Sequence, residues 1–103
     1  MKMVIFTATT WEARGIITAL GLKKDRQTYA GKIGVHLAAL FRTGVGQSQA
    51  GKSAQDAMAL VPSPDLVIST GFAGALTPNI RIGDLVVDLA RSDPTWAGLV
   101  DNL

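Results

Sequence analysis

Two short, unbroken apolar runs set the tightest limits on what this chain can become. Met3-Val4-Ile5-Phe6 and Leu66-Val67-Ile68 offer no polar residue to either side of an extended backbone. A strand with one wet face alternates apolar and polar residues. A strand that is apolar throughout is buried on both faces, as in a parallel sheet covered by helices. Neither run is long enough to cross a membrane or to form the core of a secretory leader.

Between these runs the pattern changes period. Thr10 is placed to cap a helix running to Leu20, in which Ala13, Ile16, Ile17 and Leu20 share one face and Gly21 is the stop. Residues 26 to 31 and 34 to 42 read as two strands joined through Gly31-Lys32-Ile33-Gly34, a hairpin. Thr43-Gly44-Val45-Gly46 then opens a second helix. Its apolar face is Ala50, Ala54, Ala57, Met58 and Val61, and Pro62-Ser63-Pro64 ends it. The strand at Leu66 leads into Thr70-Gly71-Phe72-Ala73-Gly74, and Leu85-Val86-Val87 reads as one more strand. The order β-α-β-β-α-β-β predicts a three-layer α/β/α domain with a mixed sheet. Met3 to Phe6 is expected at its centre, with Leu66 to Ser69 as a parallel neighbour away from any exposed edge. The last fifteen residues suggest no element, so residues 1–103 are expected to form a single, partial domain.

Composition narrows the chemistry. With 48% apolar and 17% charged residues the chain is expected to fold. The net charge is +2 and the basic residues are scattered, which argues against a nucleic-acid surface. The densest run, Lys23-Lys24-Asp25-Arg26, reads as a solvated turn. There is no cysteine and a single histidine, His36, so thiol catalysis is excluded and neither a metal site nor a cofactor is expected. A cytoplasmic setting is the expectation. Trp11 and Trp96 read as packing residues.

Gly46-Gln47-Ser48-Gln49-Ala50-Gly51-Lys52-Ser53 matches the phosphate-loop pattern G-x-x-x-x-G-K-[ST] letter for letter. Three features oppose that reading. No glycine lies between Gly46 and Gly51 to give the loop freedom, Ala50 already belongs to the helical face, and the nearby acid, Asp65, precedes its strand instead of following it.

A different likeness covers nearly the whole chain to about residue 90. The segment from Pro64 to Leu76, followed by Arg81-Ile82-Gly83-Asp84-Leu85-Val86-Val87, resembles the signature of the purine nucleoside phosphorylase/nucleosidase family. It looks closest to the methylthioadenosine/S-adenosylhomocysteine nucleosidase branch. Thr43-Gly44-Val45-Gly46 resembles the family's Ser-Gly-Ile-Gly turn, and the opening strand with Ala8 and Glu12 resembles its first strand and acidic run. The resemblance implies that Glu12 helps to activate a hydrolytic water, a sensible task for a carboxylate beside a breaking glycosidic bond. It also implies that Ala8, Val45, Phe72, Ala73 and Gly74 contact the nucleoside, Val45 at its 5′ substituent and residues 72 to 74 at ribose and base.

The departures matter as much. The Phe72 position is commonly serine in the nucleosidases, and a phenylalanine side chain cannot hydrogen-bond a water. Ser69 stands where the phosphorylases carry a phosphate-gripping arginine, which favours hydrolysis over phosphorolysis. Arg42, at the end of its strand, is a weaker source of such charge. Nothing resembles the family's ribose-binding Glu-Met-Glu segment or the aspartate that protonates the purine. The expectation is therefore a truncated nucleosidase, inactive alone. The alternatives are a nucleoside-binding module, a subunit completed by another chain or, less well supported, a P-loop protein. The family's habit and a sheet covered by only two helices imply a homodimer, with no nucleic-acid or membrane partner.

Overall fold

The computed structural model describes residues 1–26 and 28–96. They divide into two compact units, Met1–Phe72 and Ala73–Leu103, each described by itself. The first contains β1 (Lys2–Thr7), α1 (Thr10–Leu20), β2 (Lys23–Asp25), β3 (Thr28–Ile33), β4 (His36–Arg42), α2 (Gln47–Leu60) and β5 (Leu66–Ser69). These strands form one sheet in the order β2-β3-β4-β1-β5. β1 runs parallel to β4 and to β5, whereas β2–β3 and β3–β4 are antiparallel, so the sheet is mixed as expected.

The apolar run in β1 is explained by what lies on each face. Ile5 joins Ala13, Leu22, Ala38 and Leu40 in a cluster that also gathers Ile16, Ile17 and Leu20 of α1. Val4 and Phe6 point the other way, joining Phe41 and Ala57, with Ala54 and Val61 of the α2 region packed against them. Alternation along β1 and β4 thus feeds two separate cores, with α1 over one face and α2 over the other. The Phe6 and Phe41 rings meet 5.9 Å apart at a 39° tilt, within the usual range for an aromatic pair.

Helix α1 is bounded as its sequence suggests, with one correction. The N-cap is Thr9, not Thr10; the Thr9 hydroxyl accepts the Glu12 N–H at 3.3 Å. Thr10 lies one residue inside the helix. Gly21 adopts φ 64 and directs its N–H at the Ile17 and Thr18 carbonyls, a left-handed stop that suits glycine. Trp11 corrects the packing expectation: it is 73% exposed, with the Arg14 guanidinium 5.0 Å from its ring.

Four further expectations need revision. Lys23-Lys24-Asp25 is not a turn but β2, a charged strand at the sheet's edge, where lysines discourage further pairing. The β3–β4 turn is the two residues Gly34-Val35, with Ile33 paired to His36, so Gly31 to Ile33 belong to the strand. Gly34 has φ 62, the conformation that tight hairpins ask of a first turn residue. β5 is the parallel neighbour of β1 but stands at an edge of the sheet with Leu66 half-buried and Val67, Ile68 and Ser69 exposed, because an apolar run fixes neither which edges are paired nor what covers its faces. On α2, Ala50 and Met58 are exposed and only Ala57 is fully covered.

In the second unit, residues 85–87 are not a strand. Apolar composition alone does not make one; the backbone needs a ladder partner, and none is present among the described residues of this unit. Local bonds dominate instead. Asp84 accepts the Arg81 N–H at 2.8 Å, Asp88 accepts those of Ala90 and Arg91, and Asp93 accepts that of Thr95. Among the described residues, no helix is long and apolar enough to cross a membrane.

Candidate functional site

Because β1, β4 and β5 are mutually aligned, their carboxyl ends and the loops that follow lie along one edge of the sheet, where open α/β sheets place their ligands. The ladder continues briefly past the strands. Thr43 N–H donates to Thr7 O at 2.7 Å, Gly44 N–H to Ala8 O at 3.0 Å, and Thr70 N–H to Phe6 O at 2.9 Å. These bonds draw Ala8, the Thr43-Gly44 turn and the Thr70-Gly71-Phe72 loop together. A cavity of about 200 Å³ opens there, lined by Phe6, Thr7, Ala8, Thr43, Ala50, Ala54, Ser69 and Thr70. Thr7 is 1% exposed, and its hydroxyl is buried without a hydrogen-bond partner among the described residues.

Glu12 stands at this edge on the first turn of α1. One carboxylate oxygen, Oε1, accepts the Thr9 hydroxyl at 2.9 Å. The other, Oε2, accepts the backbone N–H of Phe72 at 3.0 Å, across 60 residues of sequence. Gly71 makes that approach possible: a β-carbon there would collide with Glu12 Oε2. The helix N-terminus places partial positive charge beside the carboxylate. A half-buried carboxylate with one donor on each oxygen keeps further lone pairs free, and so retains capacity to orient a water.

The other expected site residues distribute unevenly. Ala8 lines the strand-end cavity. Phe72 joins Glu12 through its backbone, while the residue as a whole is 78% exposed. Val45 lies in the loop before α2, 76% exposed and outside that cavity's lining. Ala73 and Gly74 belong to the second unit, where both are exposed. Arg42 turns to the start of α1, its guanidinium donating to Thr10 Oγ1 at 2.7 Å. Thr9 was missed by the sequence reading. Its signal was present as a Thr-x-x-Glu spacing of the kind that reciprocally caps helices.

The phosphate-loop reading does not survive. Gln47 to Ser53 are the first turns of α2, and the Ala50 N–H is already bonded to Gly46 O at 3.0 Å. A segment wound into helix cannot wrap a phosphate. Asp65 is held at the start of β5, where its carboxylate accepts the Lys2 N–H at 2.7 Å. Among the described residues, no group of three or more potential metal ligands comes together. The larger concavity, about 500 Å³ over β2, β3 and β4, is lined by Ala30, Ala38, Ala39 and several lysines and includes none of the expected site residues.

Comparison with known proteins agrees with this architecture. The sequence profile described as the phosphorylase superfamily matches residues 2–88, and the chain belongs to that superfamily. Among curated relatives, a 5'-methylthioadenosine/S-adenosylhomocysteine nucleosidase of Glaesserella parasuis serovar 5 (strain SH0165) is 37% identical over 59 residues. That alignment covers 57% of this chain and 25% of the relative, so the chain spans about a quarter of the protein it matches.

Proposed function

We propose that this chain carries the strand-end portion of a purine nucleoside site, and that its ancestral chemistry is hydrolysis of the N-glycosidic bond of a nucleoside such as methylthioadenosine or S-adenosylhomocysteine. The observation that carries the reading is the Glu12 carboxylate held between the Thr9 hydroxyl and the Phe72 amide at the ends of β1 and β5. In that reaction the bond between ribose C1′ and the purine nitrogen breaks, water adds to C1′, and the departing purine takes up a proton. Glu12 is suited to the middle event, orienting water and accepting its proton. Within Met1–Phe72, Ala8, Val45 and Phe72 contribute the nucleoside contacts. The superfamily and the nucleosidase relative support the substrate class.

The departing purine needs an acid of its own. In Met1–Phe72 the remaining acids are Asp25 on β2, Asp56 on the exposed side of α2 and Asp65 at the start of β5, none bonded to the Thr9–Glu12–Phe72 group. Leaving-group protonation contributes roughly a hundredfold to ten-thousandfold. Asp84, Asp88 and Asp93 of the other unit each accept a backbone N–H of their own segment, so residues 1–103 acting alone should bind nucleoside without turning it over at an enzymatic rate. A second reading, a subunit completed by another chain, is favoured by the outer edge of β5, which no described strand pairs. A cytoplasmic homodimer accompanies both readings.

Thermal unfolding with methylthioadenosine and, separately, with ATP–Mg²⁺ tests the proposal. The nucleoside should raise the midpoint and ATP–Mg²⁺ should not. Stabilisation by ATP–Mg²⁺ alone, or repeated turnover to free adenine by the pure chain, would contradict it. Sedimentation at about ten micromolar or above should show a dimer if its interface is of ordinary size; a monomer there removes the dimer from the proposal.

A further inference from the structure

The Glu12 carboxylate is fixed from two sides by donors of different kinds. Phe72 contributes a backbone N–H and its side chain has no donor. Thr9 contributes a hydroxyl, which donates to Oε1 at 2.9 Å while accepting the Glu12 N–H at 3.3 Å. A threonine needed only to cap α1 would have to accept from the helix amide and no more. Its single hydroxyl proton is directed instead at the carboxylate, in a charge-assisted bond of the stronger kind. The Phe72 bond depends on this orientation, because one amide leaves the carboxylate free to rotate about its last torsion, whereas two donors from opposite sides fix its plane.

We propose that Thr9 is the positioning residue for Glu12: the α1 cap hydroxyl sets the carboxylate plane so that Oε2 meets the Phe72 amide and the remaining lone pairs keep one fixed direction. This rests on the reading of Glu12 as the water-orienting group. Gly71 completes the device by leaving room for Oε2.

The test separates capping from positioning by NMR of the full chain. Serine and aspartate both cap helices well, but only serine can donate a hydroxyl proton. Thr9→Ser should leave the Phe72 amide proton shift and its exchange rate near those of wild type. Thr9→Asp should keep the helical circular dichroism, yet move the amide shift toward that of Glu12→Gln and speed its exchange about tenfold, as expected for a weakened hydrogen bond. A Phe72 amide unchanged in Thr9→Asp would overturn the proposal. A measurement on the unaltered chain guards against variants that fail to fold: three-bond couplings should show single χ1 rotamers for Thr9 and Glu12, and averaged couplings would overturn it as well. Neither readout uses a nucleoside, so failure of the nucleoside reading would show separately, as an absence of binding with these signatures intact.

Discussion

The two helical layers of the Met1–Phe72 unit are built to different standards. Helix α1 has a side-chain cap at Thr9, a left-handed glycine stop at Gly21, and a face packed on Ile5, Ala38 and Leu40. Helix α2 begins at Gly46 without a side-chain cap, ends without a left-handed residue, and covers its face of the sheet chiefly with alanines, of which only Ala57 is fully buried. The difference follows from side-chain size: Ile and Leu at helical spacing bury far more apolar surface than Ala does. The better-anchored helix is also the one that holds Glu12, the proposed water-orienting group.

This contrast can be broken most sharply at Leu40, which is fully buried in the α1-side core. Leu40→Ala should cost about 2–5 kcal/mol in urea unfolding. Met58→Ala on α2, where the residue is 38% exposed and outside both buried clusters, should cost much less, about 0.5 kcal/mol. Comparable losses at the two sites would contradict the unequal layers. A smaller effect is expected at Gly21, whose φ of 64 favours glycine. Gly21→Ala should cost about 1–2 kcal/mol, read from the same unfolding curves. The smallest change has the opposite sign. Gly51 lies inside α2 with open space where a β-carbon would go, so Gly51→Ala should stabilise by roughly 0.5–1 kcal/mol. If it destabilises instead, α2 is packed more tightly than its exposure indicates.

The same contrast explains what could be read from sequence. α1 was legible because its period, cap region and glycine stop agree with one another. The buried faces of β1 were legible from its apolar run, whereas the similar run in β5 lies exposed at the sheet's edge, so apolar composition alone does not separate an inner strand from an outer one. β2 was not, since an edge strand owes its existence to backbone pairing with β3, and three charged residues conceal that. The hairpin turn was misplaced because Gly31 and Gly34 look alike in sequence, and only the pairing of Ile33 with His36 distinguishes them. At the site, Glu12 stood out as a carboxylate in a suggestive position. Its partner, the Phe72 amide, could not stand out, because every residue except proline carries one.

The claim at the centre of this account is that the loops after β1, β4 and β5 form a nucleoside-binding edge around Glu12. Its most direct test is a titration of the ¹⁵N-labelled chain with methylthioadenosine, following each backbone amide. Saturable shifts are expected at Ala8, Gly44, Val45, Gly71 and Phe72, which Glu12→Gln weakens. Absence of shifts at millimolar nucleoside, or shifts confined to the alanine and lysine groove over β2, β3 and β4, would contradict it.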